Sequence, residues 1–341
     1  MKINRTKIVS ELKSKQNVIN AIDNGELAYG DSLNKLEKKL KSIFKKKYCI
    51  LTSNGFSSIF LSIKALGLEN KNILVPAISS CFSFVNAIKA SGNIPIFCDV
   101  EESSGNICIS SAKSIFHKKG FDGIVSPNHI GVISCIDELS QFCVPIIEDC
   151  AQSFLSNSEI TSSSTFQTFS FFPTKIANGI DGGAILTDEK DHYEVLKDIV
   201  YYGHQYNCDG VLRYNFKMLN INAAFLLGTL KSLDSFKEKI RAILKVYNTS
   251  LNDNFEIVNS SSDINYPFKY LIRFEDEKDC KLFIKKFNSL GVAKEFVFLS
   301  NDNSLFYKSS NMVLKTCSIP LYPDLKIEEV KLIVDKIKDI A

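Results

Sequence analysis

Three stretches of this sequence hold residues that could do chemistry together. Lys175 closes the run Ser170-Phe171-Phe172-Pro173-Thr174-Lys175. An aromatic, apolar approach desolvates an amine, which lowers its pKa and favours a nucleophile. Asp149 closes Val144-Pro145-Ile146-Ile147-Glu148-Asp149. A carboxylate that follows an apolar strand should sit at a sheet edge, partly buried. Thr52-Ser53-Asn54-Gly55-Phe56-Ser57-Ser58 joins a strand to a helix. There Gly55 permits a tight turn, the Ser/Asn cluster supplies caps, and the helix start offers backbone N–H groups to an anion. Each feature also has a plain structural reading. Asp149 could cap the next helix, Lys175 could be a surface lysine, and small polar turns are common. Taken together, a lysine for an imine, a carboxylate for a pyridinium nitrogen and a cradle for a phosphate are what a pyridoxal 5′-phosphate (PLP) site needs.

Those residues need a scaffold that brings strand ends together. Leu33, Leu36, Leu40 and Ile43 recur at spacings of three and four, which predicts a helix over 31–46. Strands are expected at 48–53, 72–75, 94–98, 123–126 and 144–147, each bounded by Gly, Pro, Asn or Asp. Helical patterns at 57–66, 82–91, 111–119 and 136–142 fall between them. Such alternation implies an α/β fold with a largely parallel sheet covered on both faces. Two further strands are expected at 165–172 and 183–187, then a long helical stretch over 220–247. Past residue 252 the pattern becomes that of a smaller α+β unit, with strands at 266–274 and 294–298 and helices at 278–290 and 327–337. The expected domains are therefore residues 1–250 and 251–341, with the boundary near Ser250.

The 341 residues are enough for two domains that bury cores without staples. A formal net charge of +3 gives no strong pull toward nucleic acid or membrane. Lys45-Lys46-Lys47 reads as the solvated end of a helix. Of the ten cysteines, Cys49, Cys98 and Cys143 lie in apolar stretches, and none forms a CxxC pair or lies at metal-ligand spacing from a histidine. Buried free thiols in a reducing cytosol are the expectation, and no metal. The polar N-terminus shows no apolar signal segment, and no apolar run has the length of a transmembrane helix. A cytoplasmic protein is expected.

From about Gly30 to Tyr247 the sequence resembles the DegT/DnrJ/EryC1/StrS family of PLP-dependent sugar aminotransferases. The most specific pieces are Glu148-Asp149-Cys150-Ala151-Gln152-Ser153, Phe169-Ser170-Phe171-Phe172-Pro173-Thr174-Lys175 and Gly179-Ile180-Asp181-Gly182-Gly183. His129-Ile130-Gly131, Tyr214-Asn215-Phe216-Lys217-Met218, Arg241 to Tyr247 and Ile319-Pro320-Leu321-Tyr322-Pro323 support them. The resemblance implies the type I aminotransferase fold, a large α/β/α domain and a small C-terminal one. It implies that Lys175 holds PLP as an imine, Asp149 pairs with the ring nitrogen and Gln152 lies beside the ring. Ser170 and the backbone of Gly55 and Phe56 would hold the phosphate. Asn215 would reach the phosphate of a neighbouring subunit in a homodimer with shared sites.

The implied reaction is transfer of an amino group from a donor amino acid, glutamate, to a nucleotide-linked keto-deoxysugar for polysaccharide or glycoconjugate synthesis. Two other readings stand beside it. A PLP-dependent sugar dehydratase on the same fold has histidine in place of the lysine, and Lys175 argues against it. A non-catalytic or regulatory relative is the other, and Phe56, where threonine is usual, is its best support. At that cradle Ser57 or Ser58 could replace the missing hydroxyl. The run Ala77-Ile78-Ser79-Ser80-Cys81-Phe82 departs from the usual threonine and stacking aromatic, leaving open whether Cys81, Phe82 or another side chain faces the ring. Asp181 stands where glutamate is usual. His129 and His204 are expected in structural or substrate-contact roles.

Overall fold

The computed structural model describes residues 2–8, 11–201, 212–251, 255–258, 266–302 and 304–338. Two helices come first, α1 (Leu12–Asp23) and α2 (Asp31–Phe44). Alternation follows: β1 (Tyr48–Thr52), α3 (Gly55–Ala65), β2 (Asn72–Pro76), the short β3 (Ile78–Ser79), α4 (Ser83–Ala90), β4 (Ile94–Cys98), α5 (Ile109–Lys119), β5 (Gly123–Pro127), α6 (Ile136–Leu139), β6 (Ile146–Asp149), α7 (Phe154–Asn157), β7 (Phe166–Ser170) and β8 (Gly183–Thr187). Three helices, α8 (Lys190–Tyr201), α9 (Asn220–Thr229) and α10 (Leu233–Leu251), lead to β9 (Glu256–Ile257), β10 (Tyr270–Arg273), α11 (Glu277–Phe287), β11 (Val297–Phe298), α12 (Tyr307–Lys315), β12 (Thr316–Ile319) and α13 (Ile327–Lys338).

The main sheet has the order β1-β8-β7-β6-β5-β2-β4, and only β8 runs against its neighbours. This is the α/β architecture the alternation predicts. Side chains leave successive strand residues on opposite faces, so each strand feeds two cores. Ile73 and Val75 of β2 join Ile59, Leu61, Phe84 and Ile88 from α3 and α4. Leu74 between them joins Ala112, Leu139 and Phe142 on the other side. β5 divides Val125 and Ile124 in the same way, and β6 divides Ile147 and Ile146. Each such side chain, fully buried, contributes roughly 1.5–3 kcal/mol. Because six strands share one direction, Thr52, Pro76, Pro127, Asp149 and Ser170 end at a common edge, where open α/β sheets place their ligands.

The smaller sheet, β12-β10-β9, is antiparallel. Tyr247 of α10 donates its hydroxyl to Pro320 O (2.9 Å), and Tyr270 donates to Asn248 Oδ1 (2.9 Å), tying α10 to that sheet. β11 pairs with β3 instead, so the expected strand at 294–298 is short and belongs to a link between the two sheets. The expected strand at 266–274 narrows to β10. The turn at Gly131 sits against its first residues, and Phe268 N–H donates to Ile130 O (2.6 Å) in place of a strand partner. The stretch 220–247 is α9 and α10 joined by one 3₁₀ turn at Leu230–Ser232. Helices α1, α7, α8 and α12 and strands β3, β9 and β12 lie where no element was anticipated.

Two sequence expectations are corrected here. Lys46 is not solvated. Lys45 ends α2 in the left-handed conformation and turns the chain, so the Lys46 ammonium points inward to Asp188 (2.8 Å) and Ser162 O (2.8 Å). Cys143 is exposed, because it also occupies a left-handed turn position at a helix end, whereas Cys49 and Cys98 are buried free thiols. Among the described residues no helix is long and apolar enough to cross a membrane.

Candidate active site

A cavity of about 680 Å³ opens at the common strand edge. Its floor comes from the ends of β1, β6 and β7: Asn54, Gly55 and Phe56, then Asp149, Ala151 and Gln152, then Ser170, Phe172, Thr174 and Lys175. Of the seven site residues expected from sequence, six therefore meet in one place. Asn215 does not. It is exposed on the stretch between Leu212 and Leu219, which lies along the end of β1 through Ser53 N–H to Phe216 O (2.7 Å).

The anion end is the start of α3. Asn54 caps it, its side-chain oxygen accepting Ser57 N–H (2.9 Å). The earlier amides, of Gly55 and Phe56, have no carbonyl to reach within the helix and face the cavity end. Gly55 is required by close approach. A Cβ there would lie 2.7 Å from Ser170 Cβ, so the helix start is pressed onto the strand that leads to Lys175. The two serines expected to replace the missing threonine are engaged elsewhere. Ser57 Oγ lies 2.9 Å from Ser53 Oγ and donates to Asn54 Oδ1 (3.0 Å). Ser58 Oγ pairs with Thr52 Oγ1 (2.7 Å), and both serines are buried. They line the helix's inner face rather than the cavity.

Asp149 accepts Ala151 N–H through Oδ1 (3.0 Å). Burial raises its pKa, which Ala151 N–H and the nearby Lys175 charge partly offset. A cation that faced such a carboxyl would favour its charged form. Gln152 is held at both ends: its Oε1 accepts Ile130 N–H (2.7 Å) and its Nε2 donates to Ser80 Oγ (2.8 Å). The aromatic group at Lys175 is not one of its sequence neighbours. Phe171 is in the core and Phe172 is half-exposed, while Phe268 places its ring centroid 5.1 Å from Lys175 Nζ. Ser80 and Cys81 on the loop after β3 and Ser83 at the start of α4 line the cavity, whereas Phe82 is exposed and outside its lining.

The opposite wall was not anticipated. It consists of Arg5, Thr6, Phe268, Lys269 and Glu295. Arg5 bridges to the buried Glu295 (2.5 Å) and donates to Lys294 O (2.8 Å). Lys269 is buried, donates to Arg5 O (3.1 Å), and lies 5.0 Å from the same Phe268 ring that Lys175 approaches. Burial lowers its pKa to about 8, with Glu295 pulling the other way. A lysine inside Tyr266-Pro267-Phe268-Lys269-Tyr270-Leu271-Ile272 was the available signal; Arg5 offered none. His129 stands behind the cavity. It is buried, its Nδ1 donates to Gly105 O (2.7 Å), and burial lowers its pKa to about 4, so it is neutral and structural. His204 lies outside the described residues.

Sequence and structure comparisons agree on what this chain is similar to. It is 28% identical over 264 residues to GDP-perosamine synthase of Escherichia coli O157:H7, which covers 73% of this chain and 72% of that protein. It is 28% identical over 272 residues to the 3-oxo-glucose-6-phosphate:glutamate aminotransferase of Bacillus subtilis, covering 75% and 61%. Its fold matches that of NtdA from Bacillus subtilis, solved with bound cofactor PMP, at a TM-score of 0.83 and 21% identity over 97% of this chain and 82% of that one. A family-wide sequence profile matches residues 10–338, and the chain belongs to the DegT/DnrJ/EryC1/StrS aminotransferase family.

Proposed function

We propose that this chain is a PLP-dependent aminotransferase that moves an amino group from glutamate to a nucleotide-linked keto-deoxysugar. The observation that carries the reading is the meeting of Lys175, Asp149 and the α3 start on one cavity. The residues fit the cofactor's chemistry. The α3 amides and Ser170 would take a phosphate, Lys175 would hold the group covalently, and Asp149 would face a protonated ring nitrogen. That partner would also resolve the cost of burying the Asp149 carboxylate. When bound, the cofactor supplies an electron sink for carbanion charge.

The chain's own residues do the rest. Once the donor's amine has taken its place, the Lys175 amine would carry the proton from the donor's α-carbon to the cofactor carbon that had been bonded to Lys175. Gln152, fixed between Ile130 and Ser80, holds the position beside the ring. Ser80 and Cys81 form the wall above it. Relatives of this chain act on GDP- and phosphate-linked sugars by their names, and one of them uses glutamate, which supports the donor and acceptor classes.

The working unit is a cytoplasmic homodimer with shared sites. Exposed Phe172 and Ile180 flank Lys175, and exposed Tyr29, Leu212 and Leu219 lie on neighbouring stretches. Together they form apolar surface that a second copy would cover. Asn215, exposed between Leu212 and Leu219, would then reach the partner's phosphate site. Within each copy residues 1–250 form the cofactor-binding domain and 251–341 the smaller one. Buried free thiols are in keeping with a reducing compartment.

The test is the visible absorption spectrum of the purified protein with added PLP, before and after glutamate. A yellow band that glutamate bleaches and that Lys175→Ala lacks is the expected result. No bound cofactor in the wild type would overturn the reading.

A further inference from the structure

The floor of the cavity accounts for the cofactor and the moving proton, but the charges on the opposite wall have no part in either. Arg5, Lys269 and Glu295 bring two cations and one anion to a partly dry surface. Lys269 and Glu295 are buried and the Arg5 side chain is 40% exposed, so an anion that entered the cavity would meet two cations, one of them in a largely dry setting. Arg5 spends its terminal nitrogen on Glu295 and Lys294 O, and its buried Nε has no hydrogen-bond partner among the described residues. These cations are close to the reacting centre, because Lys269 and Lys175 approach one and the same phenyl ring, at 5.0 and 5.1 Å from its centroid.

We propose that Arg5 and Lys269 form the subsite that binds a carboxylate of the amino donor, with Glu295 as the internal anion that competes for it. This rests on the transaminase reading above. An amino acid carries its carboxylate a few bonds from its amine, so an anion site one ring away from Lys175 matches it. In a nucleotide-linked sugar the diphosphate lies beyond the sugar ring from a reacting carbon, which calls for a more distant site. The wall is also braced for positioning. Phe268 is fixed by its N–H to Ile130 O, and Ile130 N–H in turn is fixed by Gln152.

The experiment is isothermal titration of the PLP-supplemented full chain at pH 7 with glutarate, a dicarboxylate with no amine, and separately with GDP. Arg5→Gln and Lys269→Met should each weaken glutarate about 10-fold or more, the loss of one charge-assisted contact. Glu295→Gln should tighten it several-fold, a gain that mere loosening of the fold would not produce. GDP affinity should not change. Equal glutarate affinity in all variants, a shift confined to GDP, or no saturable glutarate binding by the wild type would each overturn the proposal. Should Lys269→Met fail to fold, the opposite signs of Arg5→Gln and Glu295→Gln decide. Glutamate bleaching of the PLP band separates the two readings. Bleaching with unshifted glutarate affinities removes the subsite alone. Shifted affinities without bleaching remove transamination and leave the subsite.

Discussion

The two walls of the cavity are built on different physical terms. The floor rests on parallel strands whose register is fixed by cores on both faces, so Asp149 and Ser170 are placed by the sheet itself and Lys175 by the turn that leaves β7. The opposite wall has almost no regular structure. Arg5 comes from the segment before α1, Phe268 and Lys269 from the approach to β10, and Glu295 from the approach to β11. It is held by ion pairs, backbone contacts and one aromatic ring. On the reading proposed above, chemistry would fall to the sheet-built side and recognition to the side with little regular structure.

Four substitutions break or sharpen this contrast. Lys175→Ala should abolish transamination, by about 10⁴-fold or more in rate, while glutarate binding at the opposite wall persists in calorimetry. Asp149→Asn keeps the shape and removes the charge, and single-turnover rates should fall roughly 10²–10³-fold, as for loss of one preorganised electrostatic partner. Gly131→Ala strikes the joint between the walls. Gly131 has φ +87°, and a Cβ would lie 2.4 Å from Tyr266 O. Strain and overpacking together should cost roughly 2–5 kcal/mol in denaturant unfolding, with glutarate affinity lost before PLP binding. The mildest is His129→Asn. In the fold His129 has a pKa of about 4 against an ordinary 6.5, so the unfolded chain binds the extra proton in between. Its contribution is full above pH 6.5 and falls as pH drops toward 4, by about 1.4 kcal/mol per pH unit. The variant should flatten that part of the stability–pH curve and leave the rate at neutral pH near wild type.

The same contrast explains what the sequence disclosed. Every floor residue lies within a contiguous strand-and-turn stretch, so residue type and position after apolar strands pointed to Asp149, Lys175 and the turn at Gly55, and the family resemblance added Gln152 and Ser170. Periodicity found the main strands because alternate burial leaves a pattern in the chain. The opposite wall leaves none. Arg5 and Glu295 are 290 residues apart, and nothing local marks either as facing a cavity. The aromatic neighbour of Lys175 was misread for the same reason: adjacent Phe171 and Phe172 suggested themselves, while Phe268 does the packing. Lys46 shows a further limit. One left-handed residue reversed its direction, and a run of lysines gives no sign of that.

The pairing of Arg5 with Glu295 also bears on how the molecule assembles. A contact spanning nearly the whole chain is among the slowest to form, since the loop it closes is so long. The floor, drawn from residues 54–175, closes shorter loops and can be finished before it. A refolding chain should therefore regain PLP absorbance first and glutarate binding in a later phase, and it would hold a reactive lysine in an open half-site until the Arg5 segment arrives.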